Sequence, residues 1–265
     1  MKLRTALPTS VVNKMYERHD PSRMGDDPPI RFVPSPCASG KKEEGETEDN
    51  QVKITISADV QKYYPIFKEG GIAVLKGNLA PGGAIIKQSA ASAKLMEHEG
   101  RAVVFENLQD MATRIDSEDL DVTVDDILVL KHIGPKGAAM PEAGYMPIPK
   151  KLAKAGCKDI VRISDGRMSG TAFGTIVLHV TPESALGGPL AYVHNGDRIR
   201  LSVANRELSL LISDQELARR KETQPVVTPT AQRGYEKLFL DSVLQADKGA
   251  DFDFLMPPQT SVIPK

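Results

Sequence analysis

The chain has 265 residues, 40% of them hydrophobic and 26% charged, with a formal net charge of −1. That length suits one large domain or two small ones. Near-neutral charge, no tryptophan and 5% aromatics argue against a nucleic-acid or anionic-membrane partner. No apolar run approaches the roughly 20 residues that span a bilayer. Cys37 and Cys157 are too few for a disulfide framework and suit a reducing compartment, read as cytoplasmic.

Met1 to about Gly25 carries basic, Ser and Thr residues without a continuous apolar core, which excludes a secretory signal. The same composition leaves a mitochondrial presequence open, although Glu17 and Asp20 weigh against it. Residues 21–50 hold five prolines and end in the charged run Gly40-Lys41-Lys42-Glu43-Glu44-Gly45-Glu46-Thr47-Glu48-Asp49-Asn50, the composition of a linker. Residues 1–50 are therefore expected to be a disordered or weakly structured tail and linker, 51–256 the folded domain, and 257–265 a tail.

Val52-Lys53-Ile54-Thr55-Ile56 alternates like a strand. Gly71–Leu75 and Ala84–Lys87 read as strands around the glycine-rich turn 77–83. Arg101–Phe105 and Asp126–Leu130 read as buried strands. Between them Asn107–Arg114 looks helical, with Leu108, Met111 and Ala112 on one face. Ile148–Ala155 is expected as a short helix stopped by Gly156. Further strands are expected at Ile160–Ile163, Thr175–Val180, Pro189–Val193, Arg198–Val203 and Glu207–Ile212. Asn195-Gly196 signals a two-residue hairpin. Ser213-Asp214-Gln215-Glu216 is a capping box opening a helix to about Lys221. Many strands with few long helices predict an α+β fold, a closed β-barrel with peripheral helices.

The most informative stretch is Ser164-Asp165-Gly166-Arg167-Met168-Ser169-Gly170-Thr171-Ala172-Phe173-Gly174-Thr175, a loop of hydroxyl side chains and three glycines directly after a short apolar strand. Glycines let such a loop take crowded conformations, so that a hydroxyl and nearby backbone N–H groups can face one ligand. The string resembles a signature of the dihydroxy-acid and phosphogluconate dehydratase family. So do Gly70–Pro81, Lys87-Gln88-Ser89-Ala90-Ala91-Ser92, Ala102–Glu106, Gly134-Pro135-Lys136-Gly137, Gly187-Gly188-Pro189-Leu190 and Asn195-Gly196-Asp197-Arg198-Ile199. The similarity covers roughly residues 60–255. Met168–Thr175 and the closing Gln245-Ala246-Asp247 and Asp251–Leu255 look most like the sugar-acid (arabinonate or pentonate) branch.

The resemblance implies the family's C-terminal β-barrel domain, of the swivelling β/β/α type, and a hydro-lyase activity. It makes Ser169 the base that removes the proton beside the substrate carboxylate, and Thr171 a hydroxyl on the substrate carboxylate or hydroxyls. Ser164 is a further substrate-side hydroxyl, although beside Asp165 and Arg167 it also suits shaping the loop through turn hydrogen bonds and an internal ion pair. Glu142 matches a magnesium ligand of the family, in a loop that is one residue shorter than usual before Met140. His98, His132, His179 and His194 show no metal-ligand spacing. His179 reads as a barrel side chain, Cys157 as buried packing and Cys37 as a free linker thiol. The 77–83 glycines read as a hairpin more readily than as an anion cradle.

The family's cofactors are magnesium and an iron–sulfur cluster whose cysteine ligands lie in an N-terminal domain. Such a cluster needs three or four thiolates together, and this chain has two cysteines. The expected partners are a small sugar acid and a cluster-bearing N-terminal dehydratase half or full-length relative, with the chain inactive alone. Two alternatives stand beside that reading. One is a non-catalytic sugar-acid-binding or partner-binding relic; the other is a dihydroxy-acid dehydratase of branched-chain amino-acid synthesis.

Overall fold

The computed structural model describes residues 71–256 except 143–145, 168, 170–172 and 227. The expected tail and linker, the strand at 52–56, Cys37 and residues 257–265 lie outside the described residues. All described residues belong to one compact unit, 66–265.

Eight strands form one sheet: β1 (Ile72–Leu75), β2 (Gly83–Lys87), β3 (Glu97–Phe105), β4 (Ile127–Leu130), β5 (Val161–Ser164), β6 (Ile176–Thr181), β7 (Arg198–Ser202) and β8 (Glu207–Leu210). Their spatial order is β1-β2-β6-β5-β4-β3-β7-β8. The central block β3, β4, β5, β6 is parallel, and antiparallel pairs flank it on both sides. The sheet curls until its ends meet. Lys76 bridges Glu207, Lys76 N–H donates to Arg206 O, and Leu208 N–H donates to Lys76 O. The Asn78 amide completes the seam by donating to Leu210 O at 2.8 Å and accepting its N–H at 2.7 Å. Gly77 is required there, because a Cβ would overlap the Leu208 carbonyl.

The strand alternation divides the apolar side chains between two layers. Val104, Ile127, Val129, Val161, Ile163 and Val177 point into the barrel with Leu75, Ile86, Leu201 and Leu208. Val103, Phe105, Leu128 and Leu130 point outward, and helices cover them. β4 and β5 are buried on both faces; β4 reads as a continuous apolar run, as central parallel strands do, whereas β5 also buries Arg162 and Ser164. The outer layer is capped by α1 (Leu108–Arg114), which contributes Met111, and α3 (Lys150–Lys154), which contributes Leu152. Asn107 opens α1 by accepting the Asp110 N–H. Pro149 caps α3, so that helix starts two residues later than the sequence suggests. Between them lies the single turn α2 (Pro135–Ala138).

Residues 189–193 correct the expected strand. Pro189–Tyr192 is a 3₁₀ turn, and Asn195-Gly196 is not a hairpin joining it to β7. Instead Asn195 Oδ1 accepts the Val104 N–H, and Gly196 N–H donates to Ala102 O. The turn thus delivers β7 onto β3, where the antiparallel partner is. The capping box holds: Ser213 Oγ accepts the Glu216 N–H at 3.1 Å, opening α4 (Asp214–Thr223). A last helix, α5 (Gly234–Ser242), buries none of its residues.

Candidate functional site

Strands β5 and β6 are parallel neighbours, so the loop between them is a crossover from the C-terminal end of one to the start of the next. Both of its ends are tethered. At the first, Ser164 is fully buried and its Oγ accepts the Gly166 N–H at 3.0 Å. Asp165, also fully buried, accepts the Ile133 N–H at 3.0 Å and the Ser184 N–H at 2.8 Å. Burial pushes its carboxyl above the usual range, against those hydrogen bonds. Gly166 passes so close to Ile133 that a Cβ would sit 2.5 Å from Cδ1.

At the far end, Asp159 accepts the Ser92 and Thr175 hydroxyls, each at 2.7 Å, and the Thr175 N–H at 3.0 Å. Arg162 pairs with it at 3.3 Å in a buried ion pair and also donates to Phe173 O and Met146 O. Gly174 N–H reaches Ala90 O. A Cβ at Gly174 would overlap the Arg162 guanidinium, and its φ of 112° needs glycine in any case. Thus Ser92 and Ala90, from one motif, hold the loop that belongs to another.

Between the tethers the structure brings two of the predicted site residues together. Glu142 bridges Arg167 in a short parallel pairing, and its Oε1 accepts the Ser169 N–H at 2.9 Å. Met140, just before it, accepts from Arg167 Nε at 3.1 Å. That contact replaces the expected internal ion pair between Arg167 and Asp165. Thr171 lies outside the described residues. The segment carrying Glu142 is itself anchored by Glu183, which takes the Lys136 and Gly137 N–H groups at 3.0 and 2.9 Å. The Gln245 amide donates to the same carboxylate at 2.5 Å.

Glu142 offers one hard oxygen of the kind magnesium takes, but no group of three His, Cys, Asp or Glu residues occurs among the described residues. Among the described residues that is one position in a magnesium site rather than a whole one. The chain's two cysteines are fewer than the three or four thiolates an iron–sulfur cluster takes. Cys157, expected as buried packing, is half-buried against the outer apolar layer and donates its thiol proton to Asp159 O. Sequence reasoning singled out neither Asp159 nor Glu183 as holding the site. Their only local signals are an Asp before an apolar strand and a Glu after Pro182.

Residues 60–250 match the model described as dihydroxy-acid/6-phosphogluconate dehydratase C-terminal. The chain is 50% identical to an L-arabonate dehydratase of Azospirillum brasilense, over 76% of this chain and 36% of that one. It is 49% identical to a 6-deoxy-6-sulfo-D-gluconate dehydratase of Pseudomonas putida, over 69% and 32%. A dihydroxy-acid dehydratase of Methanothrix thermoacetophila is 39% identical over 70% and 33%. The chain thus spans about a third of the length of the curated relatives it matches. No helix among the described residues is long and apolar enough to cross a membrane.

Proposed function

This chain belongs to the dihydroxy-acid/6-phosphogluconate dehydratase family, and from that premise we propose that it is the base-bearing part of a sugar-acid dehydratase. The substrate class is an aldonic acid and the product a 2-keto-3-deoxy acid. A proton leaves C2, the C3 hydroxyl departs as water, and the enol that remains becomes the ketone. Ser169 is assigned the C2 proton, with Thr171 on the substrate carboxylate or hydroxyls. Ser164, whose Oγ props the Gly166 turn, is assigned to holding the loop.

The observation that carries this reading is the 2.9 Å hydrogen bond from Ser169 N–H to Glu142. It joins two segments that the sequence nominated separately. A carboxylate this near disfavours a serine alkoxide, so the pair works as a base site only with positive charge bound beside it. Glu142 is assigned one magnesium position. The remaining ligands, and those of an iron–sulfur cluster, are assigned to a cluster-bearing N-terminal part within the length of the relatives that this chain does not cover, and this chain alone is read as inactive. Cytoplasmic placement follows from the same reading. The higher identity to sugar-acid dehydratases favours that branch over dihydroxy-acid dehydration.

The test is dehydration of pentonates, hexonates and dihydroxyisovalerate by the chain alone and mixed with a cluster-loaded N-terminal part of a relative, with magnesium. Activity on aldonates only after mixing, and a loss of about 10³-fold or more in Ser169→Ala, is the expected result. Association of the parts without activity would favour the non-catalytic sugar-acid-binding relic. Turnover by the chain alone would refute the assignment of the missing groups.

A further inference from the structure

On the Arg167 side of the signature loop a cleft of about 350 Å³ opens against the segment that follows β8 and α4, at the small end of the range for ligand sites. Two basic side chains, Arg167 and His179, face it among apolar neighbours that include Phe239 and Met140, and no acidic residue among those described lines it. Arg167 uses Nε for Met140 O. Among the described residues its terminal nitrogens have no carboxylate partner, and the His179 ring has no hydrogen bond.

A second observation converges on the same place. Six non-glycine residues among those described have positive φ: His132, Ala139, Met140, His179, Arg206 and Ala250. Four of them, Ala139, Met140, His179 and Ala250, line this one cleft. Left-handed backbone is costly for residues with a Cβ, and strain of this kind gathers where side chains are held for a ligand. His179 shows what the strain achieves. It interrupts an otherwise buried strand to leave its imidazole half-exposed toward Arg167. Burial, and then the charge of Arg167, hold its pKa below the ordinary histidine value. An anion between the two groups would reverse the second of those effects.

We propose that this cleft binds a small oxyanion, carboxylate or phosphate, clamped between the Arg167 fork and the His179 imidazole. The apolar wall at Phe239 suits the carbon body of an organic acid. The site does not depend on Ser169 acting as a base, because its readout is binding.

Titrating the chain with inorganic phosphate, gluconate and 6-phosphogluconate, followed by calorimetry and by the His179 imidazole resonances, tests this directly. The expected result is saturable binding that moves those resonances. Arg167→Gln should weaken it roughly tenfold or more, as loss of a charge-assisted pair does. His179→Asn, which tolerates left-handed backbone, should weaken it several-fold with the amide spectrum intact. Tighter binding of the organic acids than of phosphate identifies an organic ligand; equal binding identifies the free anion as the source. Unmoved His179 resonances, or folded variants that bind all three probes as the parent does, would overturn the proposal. Failure of the dehydration experiment would leave this result standing.

Discussion

Asp159 shows how much one side chain can organise. Burial raises its pKa, but hydrogen bonds from Ser92 and Thr175 and the charge of Arg162 outweigh that, so its carboxyl sits below the usual range. Asp126, held by Arg101, and Asp197, held by Arg220, behave alike, with burial again opposing. For an acid whose folded pKa is depressed, the stability it lends is complete above the unfolded value of about 3.9 and lost as pH falls through the folded one. Urea midpoints should therefore hold from neutral pH to about 5 and drop below about 4. Asp165 has the opposite sign: with its pKa raised by burial, its protonation offsets part of that loss. Asp159→Asn leaves the buried Arg162 unpaired and should cost about 3–5 kcal/mol in urea unfolding. Asp165→Asn, which strands no buried arginine, should cost less. The glycines at 166 and 174 were legible in the sequence as a motif. Their causes, Ile133 in one case and Arg162 in the other, were not, because those contacts join distant segments.

At the scale of elements, α4 is a test of local against long-range information. Its start was written in the capping box, and Ser213→Ala should cost about 1 kcal/mol. Its attachment was not visible in sequence. Arg220 is buried and reaches Asp197 at 2.6 Å, Tyr192 O at 2.9 Å and Glu216 at 2.8 Å. Removing it in Arg220→Ala should cost about 3 kcal/mol, measured by urea unfolding with far-ultraviolet dichroism. The same contrast explains Asn195-Gly196. The dipeptide correctly marks a tight turn, but the strand it delivers β7 onto is β3, far earlier in the chain. Local turn chemistry cannot state its partner. The stop at Gly156 was readable because it acts within one helical turn; Asn107, read as part of the helix, is instead its cap.

Over the whole molecule, the count of strands and their buried or alternating character were enough to predict a barrel. Their spatial order was not, since it is set by crossovers rather than by adjacency in sequence. The positions of Ser169 and Glu142 were nominated by motif, and only the fold puts them within one hydrogen bond. The supporting frame of Asp159, Arg162 and Glu183 needed coordinates. The seam between Lys76 and β8 yields a prediction at this scale. Gly77→Ala would push the Leu208 carbonyl away, and overpacking of this kind costs about 1–3 kcal/mol. Hydrogen exchange at Leu208 and Leu210 should accelerate more than at the β4 and β5 amides; equal acceleration everywhere would mean that closure and core unfold as one unit.

The same seam bears on how the chain keeps company with others. The outward amides of β8 at Leu208 and Leu210 are already spoken for by Lys76 and Asn78, so this end of the sheet offers no template for an incoming strand. Recruitment of another polypeptide at this end of the sheet has to proceed through side chains rather than an added strand. Crowded on a ribosome or concentrated in a tube, the barrel is thereby guarded on that side against the strand-by-strand stacking from which fibres grow.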